Sequence, residues 1–80
     1  MTVKIELDLP DDVYTGLVLV AQACSVADQQ REGATTHGAL DARALLAMLA
    51  EDAAMTHSRP GSWEGANMLQ VLTSHGYSLS

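Results

Sequence analysis

The chain has 80 residues, 48% of them hydrophobic, and a formal net charge of −6 from ten acidic and four basic side chains. That length supports one domain over residues 1–80 with a core that has little to spare. The acidic balance works against nucleic acid, because attraction of Lys and Arg to phosphates supplies most non-specific affinity.

Residues 2–9 alternate strictly, with Val3, Ile5, Leu7 and Leu9 on one side and Thr2, Lys4, Glu6 and Asp8 on the other. This is the period of a half-buried β-strand. The same alternation differs from the basic-then-apolar order of a secretory signal, and no run approaches the roughly 20 apolar residues of a membrane span. Pro10, Asp11 and Asp12 then suit the first turn of a helix, where a fixed φ and negative charge are both favourable. The predicted helix covers about 10–30, with Val13, Leu17, Val20, Ala21 and Cys24 along one face. Val18, Leu19 and Val26 widen its apolar surface beyond one stripe, and burial against a second subunit would account for them.

The stretch from Arg31 to Gly38 lacks apolar period and reads as a loop. A second helix is expected over about 41–55, with Asp41 or Thr36 as N-cap and Ala42, Leu45, Leu46, Leu49 and Ala53 facing inward. Ser58 to Ser62 breaks it. Ser62 can cap a third helix over about 63–74 that turns Met68, Leu69 and Leu72 inward, and Gly76 is placed to end it. A lone strand with one oily side has no hydrogen-bonding mate in its own chain, so the expectation is that it pairs with its copy across a two-fold axis.

The run from Val3 to Tyr14, followed by Leu17 and Ala21, resembles the ribbon-helix-helix family of small dimeric DNA-binding regulators. The resemblance covers roughly the first quarter of the chain. It implies a mainly α fold with one N-terminal β-strand and an intertwined homodimer, to which the helix around Trp63 is an extra C-terminal element outside the family's minimal motif. In such a dimer Val3, Ile5, Leu7, Leu9, Val13 and Leu17 form the shared core. Lys4, Glu6 and Asp8 face the DNA groove, where Lys can donate to guanine and a carboxylate can accept from cytosine. Thr35, Thr36, His37 and Gly38 are the nearest candidates for a phosphate contact near the second helix. The connection there is longer than the family's short turn.

Residues with chemical potential have stronger structural readings. His37, His57 and His75 are far apart in sequence and have no cysteine beside them, so no metal site is expected. The single cysteine, Cys24, excludes an intrachain disulfide framework, points to the cytoplasm, and sits on the apolar stripe where a thiol behaves as a small hydrophobe. Asp11-Asp12 and Glu51-Asp52 point in different directions on their helices and form no shared-proton dyad. Met48, Met55 and Met68 read as core filling, and Trp63 as an anchor for the last helix. No cofactor loop, nucleophile or base is visible, so no enzyme is expected.

Two roles follow. One is a DNA-binding repressor or antitoxin-like regulator acting as a dimer or as paired dimers. The other is an acidic protein-interaction module or inhibitor that meets a basic partner protein without binding DNA.

Overall fold

The computed structural model describes residues 1–79 and contains three α-helices in chain order, α1 (Asp11–Gln30), α2 (Ala42–Ser58) and α3 (Trp63–Ser74). Backbone proximity divides the chain into two compact units, Met1–Leu45 and Leu46–Ser80.

The expected N-terminal strand is not formed, and with it goes the ribbon-helix-helix topology. Among the described residues there is no strand, and residues 1–10 carry no regular secondary structure. The physical reason lies in the rest of the chain. Every other regular segment is helical and satisfies its own N–H and C=O groups, so nothing is left to pair with residues 2–9. Alternation fixes which side chains would share a face, but a ladder needs a second backbone. Val3, Ile5 and Leu7, expected in a shared core, are exposed at 83%, 75% and 65%, and only Leu9 of the alternating set is half-buried.

In the first unit Pro10 precedes α1 instead of opening it, with φ −56° and ψ 148°, and its carbonyl accepts from the Tyr14 amide at 3.0 Å. Asp11 and Asp12 fill the first turn, where their charge complements the helix dipole. Leu17, Val18, Cys24, Ser25 and Asp28 are half-buried around the buried Ala21, which defines the packed face of the helix. The C-terminus closes in a Schellman motif: the Gly33 amide bonds Asp28 O at 2.9 Å and the Glu32 amide bonds Gln29 O at 3.1 Å. The following loop is tied back to α1 by Ser25, whose hydroxyl accepts from the Leu40 amide at 2.9 Å and lies 2.9 Å from Leu40 O. Asp41 then caps α2, its carboxylate accepting from the Ala44 amide at 2.7 Å.

The second unit holds most of α2 and the whole of α3. The Ser62 hydroxyl accepts from the Gly65 amide at 3.0 Å, as an N-cap should. At Gly65 the helices approach so closely that an added Cβ would lie 2.7 Å from both Met55 O and Arg59 O. Met48, Met55, Met68, Leu69 and Leu72 are half-buried. Gly76, at φ 93°, ends α3 in a second Schellman motif, with Tyr77 N–H donating to Leu72 O at 3.1 Å.

Candidate interaction surface

The balance of buried and exposed apolar groups is the most informative feature of the molecule. Only Ala21 and Leu45 are buried hydrophobics, while fourteen large hydrophobic side chains among the described residues are exposed. The chain exposes 6607 Å². A folded monomer of 8.5 kDa is expected to expose about 4,700 Å². The surplus of about 1,900 Å² includes the irregular residues 1–10, where Met1, Val3 and Ile5 are the most exposed of the fourteen.

Part of that surplus is ordered along α1. Val13, Gly16, Leu19, Val20, Ala23, Val26 and Ala27 are all exposed and recur at three- and four-residue intervals, away from the face that carries Ala21. Two heptads therefore present an apolar seam of the kind one helix offers another. Thr15, Gln22 and Gln29 flank it with neutral polar groups, and no charged residue falls on the seam or this flank between Val13 and Gln29. Apolar period places Val13 and Val20 on the packed stripe and Val18, Leu19 and Val26 beyond it, whereas in the fold Val13 and Val20 are exposed with Leu19 and Val26, and Val18 is half-buried. Period also misses that Gly16, Ala23 and Ala27 complete the exposed pattern, because small residues add little to an apolar count.

The residues singled out for DNA contact lie elsewhere. Lys4, Glu6 and Asp8 are exposed on the irregular N-terminal segment, with Asp11 and Asp12 close behind in sequence. Thr35, Thr36, His37 and Gly38 sit in the loop after α1, and all four make hydrogen bonds there. The Thr35 hydroxyl donates to Asp28 Oδ1 and accepts from the Gly38 amide, the latter at 3.1 Å. Thr36 Oγ1 lies 2.8 Å from His37 Nδ1. At the start of α2 the Ala44 amide, a donor that a phosphate would use, is taken by Asp41.

The remaining chemistry-bearing groups do not converge. Among the described residues no three of His, Cys, Asp and Glu are grouped as metal ligands. Cys24 is a half-buried free thiol on α1. An open depression on α3 is lined by Ala66, Leu69, Gln70, Thr73 and Ser74, without a titratable side chain. Trp63, expected to anchor α3, is instead 66% exposed. Among the described residues no helix is long and apolar enough to cross a membrane.

No family model matches the chain, and neither the curated proteins nor the solved structures yield a match.

Proposed function

We propose that this chain is an acidic protein-interaction module without catalytic activity, acting in the cytoplasm on a basic protein partner. One observation carries the reading: two hydrophobic residues are buried while fourteen large ones are exposed. Contiguous exposed apolar surface on a small domain marks a site of association, since leaving it in water forgoes about 25 cal/mol for each Å² that could be covered. The net charge of −6 gives the sign of the partner, and Glu6, Asp8, Asp11 and Asp12 concentrate it beside the exposed Val3, Ile5 and Leu7. Interleaved carboxylates and apolar groups suit a partner that presents Lys or Arg around a hydrophobic contact. The lone Cys24 supports the reducing compartment.

The test couples capture from the native host with a direct nucleic-acid measurement. Immobilised full-length chain is expected to retain one basic protein in stoichiometric amount at low salt and to release it as salt rises. It is expected to leave random and genomic duplexes unshifted at micromolar concentration. Tight duplex binding with no retained protein would overturn the proposal and return the chain to the DNA-binding class.

A further inference from the structure

The seam on α1 has a property that an arbitrary helix partner does not require, which is that it complements itself. Its central positions alternate in size, with Gly16 and Ala23 small and Leu19 and Val26 large. When two such helices run antiparallel, Gly16 of one copy meets Val26 of the other and Leu19 meets Ala23, so each of these two large side chains faces a small one. Parallel alignment sets Gly16 against Gly16 and Leu19 against Leu19, which leaves a gap in one layer and crowding in the next.

Charge selects the same arrangement. Antiparallel packing carries Asp12 of each copy away from the first-turn aspartates of the other, towards Gln30 and the exposed Arg31 and Glu32 at its far end. In the parallel alternative the aspartates of both first turns stack on one another. Two molecules of net charge −6 must also meet through surface that is free of carboxylates, and the seam between Val13 and Gln29 is such a surface.

From these observations we propose that the exposed face of α1 is the contact between two copies of this chain, packed antiparallel across a two-fold axis. Small residues let the helices approach to about 8 Å, the near end of the usual range. The seam from Val13 to Ala27 is about 21 Å long. Because each copy presents the same patch, the assembly closes at two and leaves the N-terminal acidic segments outside the contact. The inference goes beyond the module reading, and purified chain alone tests it.

Sedimentation equilibrium of the full chain from about 1 to about 200 μM is expected to give a species of twice 8.5 kDa. Ala23→Glu places a carboxylate in the centre of the seam and is expected to raise the dissociation constant at least about tenfold. Ala23 is exposed in the single chain and Glu is a good helix former, so helicity by circular dichroism stays unchanged and loss of the dimer is not loss of fold. Orientation is read in a Cys24→Ser background, by mixing copies bearing Leu19→Cys with copies bearing Ala23→Cys and oxidising them. Cross-linking between unlike copies is expected. A wild-type monomer throughout the range, an Ala23→Glu variant that dimerises as before, or cross-links confined to Leu19→Cys pairs would each overturn the proposal. Absence of a basic partner in the host leaves these outcomes unaffected, so the two readings fail separately.

Discussion

Two helices of this chain end in the same hydrogen-bonding motif, but the residue at the critical position differs. After α3 the left-handed residue is Gly76, at φ 93°, for which that conformation carries no steric penalty. After α1 it is Glu32, at φ 53°, whose Cβ makes the same conformation cost about 1–2 kcal/mol. Glu32→Gly is therefore expected to stabilise the chain by about 1 kcal/mol, somewhat less than the steric term because glycine is freer in the unfolded state. Urea unfolding monitored by helicity checks it, and a variant of equal or lower midpoint would contradict the strain. The opposite result is expected at Gly65. Alanine there gains about 1 kcal/mol in helix propensity. Its Cβ would meet two backbone carbonyl oxygens at 2.7 Å, neither of which can rotate away. The net expectation for Gly65→Ala is a loss of about 1–3 kcal/mol, read from the same urea midpoint.

At the scale of the elements, local side-chain chemistry determined the boundaries. Ser62 was legible as a cap, and Asp41 as one of two candidates with Thr36, because a short polar acceptor just before an apolar period favours that use, and each of Asp41 and Ser62 accepts the amide three residues on. Asp41→Ala is expected to cost about 1 kcal/mol and to fray the first turn of α2, seen as faster amide exchange at Ala44. The clamp made by Ser25 was not legible. A serine inside a helix usually bonds its own preceding turn, as this one does with Ala21 O at 3.0 Å. Its contact with both backbone groups of Leu40, fifteen residues away, depends on the course of a loop that sequence period does not describe. The N-terminal segment failed for a different reason. Val3, Ile5, Leu7 and Leu9 have the period of a strand, but pairing is a property of two segments, and period describes one. The face of α1 was half legible. Leu19 and Val26 stood out by size, whereas Gly16 and Ala23 acquire meaning only once their exposure beside those residues is seen.

For the whole molecule, the physical problem is a core too small for the apolar residues available. Among the described residues only Ala21 and Leu45 are buried hydrophobics and the rest of the apolar set is at best half-buried, so the stability of one copy in isolation is small, and any partner that covers α1 adds to it by mass action. The melting midpoint of the wild-type chain is therefore expected to rise with protein concentration, while that of Ala23→Glu stays flat. Salt separates the two associations proposed for this chain. Binding of a basic protein to an acidic one weakens as the Debye length falls from about 10 Å at 0.1 M to about 3 Å at 1 M. Self-association through an uncharged seam runs the other way, because the same screening relieves repulsion between two copies of net charge −6 and costs only the rim pair of Asp12 with Arg31, which is worth little when exposed. Sedimentation at about 0.1 M and about 1 M salt should thus show the dimer tightening under the conditions that release the basic partner. A dimer that dissociates at high salt would mean that charge, and not the apolar face of α1, holds the copies together.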